Sequence, residues 1–152
     1  MAGQPWLKVG DQILLDGGDF RVVELLVGRA DRLSFRRITA SPQLGGEQRM
    51  LLQLEEALLE ARPLDPGKLA GERVELDAKA FELRWDSELL TERSAQDKPV
   101  KFGRGRCAWY EADDGAVALL VVERYDRDAF VAVPLAASRV DLRFTGGLRG
   151  RG

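Results

Sequence analysis

Val9 to Leu15 and Phe20 to Val27 are two runs of β-branched and leucine residues separated by Asp16-Gly17-Gly18-Asp19. Glycines that enter positive φ without steric cost, set between such runs, predict a β-hairpin. A third strand is expected from Leu33 to Thr39, where Phe35 and Ile38 are apolar but Arg36-Arg37 break the alternation. Ala40 to Gly46 then collects turn formers and is expected to be a loop.

The segment from Glu47 to Arg62 admits two readings. Met50, Leu51, Leu54, Leu58 and Ala61 fall at helical spacing, with Glu and Gln between them, which favours a helix locally. The competing reading divides it into strands at 50–54 and 57–62, joined by a turn at Glu55-Glu56. Pro63-Leu64-Asp65-Pro66-Gly67-Lys68 stops either element.

Beyond that boundary the pattern restarts. Gly71 to Leu76, Asp77 and Phe81 to Trp85 can be laid on the first hairpin at one constant offset, with Gly10 meeting Gly71, Ile13 meeting Val74, Leu15 meeting Leu76, Asp16 meeting Asp77 and Phe20 meeting Phe81. Leu51-Leu52-Gln53-Leu54-Glu55 likewise resembles Leu119-Leu120-Val121-Val122-Glu123. Val117 to Val122 is β-branched, continuously apolar and strand-length, so matching halves make 50–55 a strand as well. The strand reading of 47–61 is therefore preferred.

The last third reads as β throughout: Cys107 to Glu111, a turn at Asp113-Asp114-Gly115, the run to Val122, Phe130 to Val133, and Val140, Leu142 and Phe144 alternating with Arg139, Asp141 and Arg143. The pattern as a whole predicts a mainly β chain made of two related barrel-like or sandwich-like units packed together, with at most one short helix. The units span 1–64 and 65–145, as separate bodies or one continuous domain, and 146–152 is expected to be a flexible tail.

Composition narrows the function. With 45% hydrophobic and 32% charged residues among 152, the chain has ordinary globular content. A balance of 23 basic against 25 acidic residues gives a net charge of -2, which supports no general attraction to nucleic acid or anionic lipid. There is no histidine, and the single Cys107 has no second thiol with which to bridge or share a metal. His-dependent nucleophile systems, zinc protease motifs and a disulfide framework are thereby excluded, and a reducing compartment is expected. Met1 to Trp6 lacks the basic start and apolar run of a signal peptide, and no stretch approaches the roughly 18–20 apolar residues of a membrane span. A cytoplasmic protein without membrane insertion, cofactor, metal or catalytic residue is expected.

One segment has candidate chemistry. Lys98, Lys101, Arg104 and Arg106 fall within nine residues, interleaved with Gly103 and Gly105 and with Phe102. Glycines let backbone amides approach an anion and an aromatic ring stacks on a base, so the segment is a candidate anion-binding loop. Its spacing matches neither a P-loop nor a dinucleotide fingerprint, and charge runs are more often solvated faces. Asp126 and Asp128 form an Asp-x-Asp pair without the glycine and glutamate of an EF-hand loop. Cys107 and the tryptophans Trp6, Trp85 and Trp109 are expected to be packing residues.

The order of features resembles the bacterial family designated domain of unknown function 4178. The likeness rests on Val9-Gly10-Asp11, Asp16-Gly17, Phe20-Arg21-Val22-Val23, Trp109-Tyr110-Glu111, Asp114-Gly115 and Val122-Glu123, and would span roughly 7–144. A tryptophan followed by a glutamate-tyrosine pair near Ser34 to Arg37, and a tryptophan-leucine pair near Met50-Leu51, are expected of that family and absent here, which makes the chain a divergent member at most. The resemblance carries no catalytic residues. It implies an accessory role beside membrane-stress scaffold proteins and polyamine-synthase-like enzymes.

Two functions compete on this basis. The favoured one is a non-enzymatic β module that binds a protein partner through a strand edge or a groove between the halves. The other binds nucleic acid or a phosphoanion through Lys98, Lys101, Phe102, Arg104 and Arg106.

Overall fold

The computed structural model describes residues 5–124 and 126–143. Within them the chain forms β1 (Gln12–Leu15), β2 (Gly18–Arg29), β3 (Ser34–Pro42), β4 (Arg49–Gln53), β5 (Leu58–Leu64), β6 (Arg73–Leu76), β7 (Lys79–Ala95), β8 (Lys101–Glu111), β9 (Val117–Glu123), β10 (Arg127–Pro134) and β11 (Val140–Arg143). The only helical pieces among these residues are two 3-10 turns, Pro66–Lys68 and Ala137–Arg139. The segment with helical spacing is two strands, β4 and β5, joined at Glu55-Glu56. The expected tail at 146–152 lies outside the described residues.

All eleven strands belong to one sheet, ordered β11-β1-β2-β3-β4-β5-β10-β9-β8-β7-β6, with a further pairing of β2 to β7 that closes eight of them into an antiparallel barrel. Each half of the chain supplies a four-strand meander, β2 to β5 and β7 to β10. Neither meander closes on itself. They are zipped at two seams, Glu24 to Arg29 of β2 against Leu90 to Ala95 of β7, and Leu59 to Leu64 of β5 against Ala129 to Pro134 of β10. The result is one closed eight-stranded barrel with additional strands.

The apolar runs follow from burial on both faces. Along β9, Leu119 and Val121 enter the barrel interior with Phe35, Leu52, Leu59, Leu89, Cys107, Trp109 and Phe130. Ala118 and Leu120, between and beside them, face outward into a separate cluster with Leu76, Phe81 and Tyr110. The same division separates inward Leu52 and Leu59 from outward Leu51 and Leu58, which pack with Ile13, Leu15, Phe20 and Val22.

Two flaps provide these outer cores. β2 shifts register between Val22 and Glu24, so its first half pairs with β1 and its second half with the barrel partner β7. β7 shifts between Leu83 and Trp85, leaving its first half paired with β6. A bulge bends a strand and increases its twist, which lets each long strand leave the barrel wall and fold back over it. The N-terminal segment lies on the first flap's side: buried Gln53 accepts from the Leu7 amide at 2.8 Å and donates to the Pro5 carbonyl at 2.9 Å.

Interior aromatics fill the barrel. Trp85 stacks on Trp109 with centroids 5.5 Å apart and planes at 6°, and Phe35 tilts against Trp109 at 5.9 Å. The Cys107 thiol lies among them and is pushed up to about 12, first by burial and then by the nearby Asp86 charge.

The flap hairpins turn alike. Asp16 and Gly17 both have positive φ, and so do Asp77 and Ala78. Paired left-handed residues give the turn that suits the twist of flanking strands, and aspartate tolerates that region through local hydrogen bonding. Alanine does not, and Ala78 is held at φ 63° on the exposed tip. Ala78→Gly is expected to stabilise the protein by about 1 kcal/mol in urea unfolding, because relief of the left-handed strain exceeds the entropy glycine adds to the unfolded chain.

Asp16 also anchors an ion-pair network. Arg139 grips both its carboxylate oxygens at 2.7 Å and reaches Glu60 at 3.2 Å, while Arg49 bonds Asp16 and Glu60. The hydrogen bonds from Arg139, joined by those from Arg49, outweigh desolvation and hold the Asp16 carboxyl at about 2, below its ordinary 3.8. A carboxyl lowered by folding stabilises the native state above its unfolded pKa and loses that contribution as the pH falls through the folded value. Asp16→Asn, which keeps a residue tolerant of positive φ, is expected to flatten the fall of melting temperature between about pH 4 and pH 2, where Asp16 titrates.

Candidate binding site

At one end of the barrel the inward positions stop being apolar. β3 places Phe35, Arg37 and Thr39 on its inner side, and Arg37 is paired laterally with Leu26 of β2 and Leu52 of β4. The Arg36-Arg37 pair that broke the expected alternation is thereby explained. Arg36 faces out, donating to the Leu7 carbonyl at 2.6 Å and lying 5.4 Å from the Trp6 ring centroid. Arg37 faces in.

The Arg37 guanidinium sits over the Phe130 ring, 4.9 Å from its centroid, and its Nε is the one buried side-chain polar atom among the described residues with no hydrogen-bond partner. Desolvation, followed by repulsion from Arg93, lowers its pKa against the pull of Asp128 and Glu24. Arg93 is engaged differently. It bonds Glu123 through Nε at 3.2 Å and through Nη2, and reaches Asp128 at 3.3 Å. Glu123 also accepts from the Thr91 hydroxyl at 2.7 Å. Burial would raise the Glu123 carboxyl, but the Arg93 and Thr91 hydrogen bonds together hold it below the usual range. Asp128, half of the Asp-x-Asp pair, is thus committed to an arginine.

Of the five residues singled out from sequence, Lys98, Lys101, Phe102 and Arg104 lie around this end and Arg106 lies farther along β8, and the five are divided between two environments. Lys101 to Arg106 belong to strand β8, not to a loop. Lys98 lies in the preceding turn, closed by its amide to the Ala95 carbonyl at 3.2 Å, and lines the mouth with Lys101. Phe102, Arg104 and Arg106 alternate onto the outer wall, where Arg106 is tied to Asp86 at 3.1 Å. Phe102 is 78% exposed, with Leu90 at 52% on the same wall and Val100 at 46% two residues before it. Leu90 pairs with Arg104 and Glu92 with Phe102, which sets Leu90 and Phe102 on a diagonal within reach of one another.

The glycines of this segment serve the barrel. A Cβ at Gly103 would stand 2.7 Å from both Thr91 Oγ1 and Glu123 Oε2, so its absence makes room for that hydrogen bond. A Cβ at Gly105 would meet the Val122 carbonyl oxygen at 2.1 Å, where neighbouring strands approach too closely for any side chain. Sequence reasoning missed Arg37, Arg93, Thr91 and Glu123. The one signal for them was two arginines breaking an otherwise alternating strand.

Gly105→Ala is expected to destabilise the protein by about 3 kcal/mol, the upper end of overpacking costs, because the collision is with backbone and no rotamer relieves it. Denaturant titration checks this, and an unchanged midpoint would return the glycine to an anion-cradling role. No protein-family model, curated protein or solved structure matches the chain.

Proposed function

We propose that the protein is a non-enzymatic binding module that docks another protein through the outer wall formed by 88–92 of β7 and 102–106 of β8. One observation carries this reading: two of the five exposed large apolar side chains among the described residues, Leu90 and Phe102, sit together on this wall, which lies under neither flap, and a third, Val100, lies in the connection just before β8. Aromatic residues and arginine are both enriched at protein interfaces. Arg104 makes no ion pair among the described residues, so the partner suited to this wall offers an apolar pocket for Phe102 and a carboxylate for Arg104.

Strand edges are less suited to docking. The two ends of the sheet, β6 and β11, are four residues long and carry Arg73 and Glu75, and Asp141 and Arg143, the short charged form that discourages strand addition. Nucleic acid is also less suited. Phe102 shares its face with Arg104 and with an Arg106 already bonded to Asp86, while Lys98 and Lys101 line the mouth. A phosphate backbone on that wall would meet one uncommitted cation.

The strand order of the two halves, together with positive φ at Gly10 and Gly71 and at Asp16 and Asp77, supports an internal duplication. A place in a bacterial membrane-stress system, as an accessory protein, rests on the resemblance to domain of unknown function 4178 alone.

Replacing both Leu90 and Phe102 by serine is expected to abolish capture of a protein that the wild type retains from native lysate, with melting temperature unchanged because both side chains are exposed. Loss of a central aromatic anchor costs about 2 kcal/mol or more, roughly thirtyfold in affinity. An identical set of proteins retained by wild type and variant would overturn the reading.

A further inference from the structure

The barrel mouth holds more cations than the carboxylates beside it answer. Arg37, Arg93, Lys98 and Lys101 line a pocket of about 190 Å³ in which Glu24 is the one carboxylate. Arg93 is neutralised by Glu123 and Asp128. Arg37, Lys98 and Lys101 make no ion pair within 4 Å among the described residues, so the pocket retains a positive excess.

We propose that this mouth is a binding site for a phosphate dianion, free or carried as the monoester of a small molecule. The floor is built in advance: the Phe130 ring supports the Arg37 guanidinium, which lines the pocket and makes no hydrogen bond among the described residues. A charge-assisted bond to an oxyanion is the strong way to satisfy a guanidinium. Lys98 and Lys101 stand at the rim, where flexible ammonium groups reach a multiply charged ligand. The Arg93–Glu123–Thr91 bonds keep the neighbouring arginine out of competition and fix the wall. Below the mouth, Phe130, Leu119 and Trp109 close the interior, so the site is a shallow socket and not a channel. The site adjoins the outer wall proposed for protein docking, since Lys101 lines a neighbouring cavity with Phe102 and Arg104, but the anion would be held by Arg37, Lys98 and Lys101 and the protein partner by Leu90, Phe102 and Arg104.

Calorimetric titration at low ionic strength with inorganic phosphate, and separately with a nucleoside monophosphate, tests the site. The wild type is expected to bind one equivalent saturably, with half-saturation below about 10 mM. Tighter binding of the monoester identifies a small-molecule source, and equal binding identifies free phosphate. Lys98→Ala with Lys101→Ala, both surface changes, is expected to weaken binding by about tenfold or more, and Arg37→Met, which keeps an apolar stem over Phe130, to abolish it. Glu24→Gln removes the opposing carboxylate and is expected to tighten binding severalfold, a gain that a damaged fold does not produce. Phe102→Ser leaves phosphate binding intact. No saturable binding by the wild type, or equal binding by wild type, the lysine pair variant and Glu24→Gln, would overturn the proposal.

Discussion

Closure of the barrel is the constraint on which the rest depends. Each half of the chain is a four-strand meander with two open edges, and an open edge presents unpaired amides and carbonyls. The β2–β7 and β5–β10 seams satisfy all four edges at once. An eight-stranded barrel of this kind has an interior just wide enough for side chains to fill. Phe35, Trp85, Trp109 and Phe130 fill it, and the glycines at 28, 103 and 105 accommodate them or their neighbours, Gly28 lying so close beneath Phe35 that a Cβ would come within 2.4 Å of the ring.

Filling the inside does not dispose of the outside. The outer positions of β3, β4, β9 and β10 are nearly as apolar as the inner ones, and the two flaps exist to cover them. That is why the chain carries three more strands than closure needs, and why β2 and β7 are bulged and long. The wall of β7 and β8 that neither flap reaches is accordingly mixed, with charged residues around Leu90 and Phe102. At the open end the packing gives way to the Arg93–Glu123–Asp128 group and the unanswered Arg37.

Much of this was legible in the sequence and some was not. The hairpin at Asp16-Gly17, its counterpart at Asp77, and the strands around Leu51 and Val117 were readable because turn residues and two-sided apolar runs carry local signals. The extension of β7 from Asp86 to Ala95 and the start of β8 at Lys101 were not, because apart from Leu89 the inward residues there include Thr91, Arg93, Gly103 and glycine again at 105, none of which registers as apolar alternation. The same silence concealed the mouth: a glycine that faces a crowded interior and a glycine that cradles an anion look identical in a linear string. Seam closure was also invisible, since pairing between Glu24 and Ala95 leaves no trace in either neighbourhood.

Those seams have a kinetic consequence. Glu24 must find Ala95, Leu64 must find Ala129, and Gln12 must find Arg143, so the contacts that complete the molecule join its most distant segments. Each requires a large loop to be ordered before its reward arrives, the condition under which β proteins reach the native state slowly. The hairpins at Asp16 and Asp77 can assemble early and locally, whereas the barrel exists only when both meanders meet. Newly made chain therefore passes through a period with two apolar, two-faced meanders exposed, and the vulnerability to self-association belongs to that interval rather than to the finished protein.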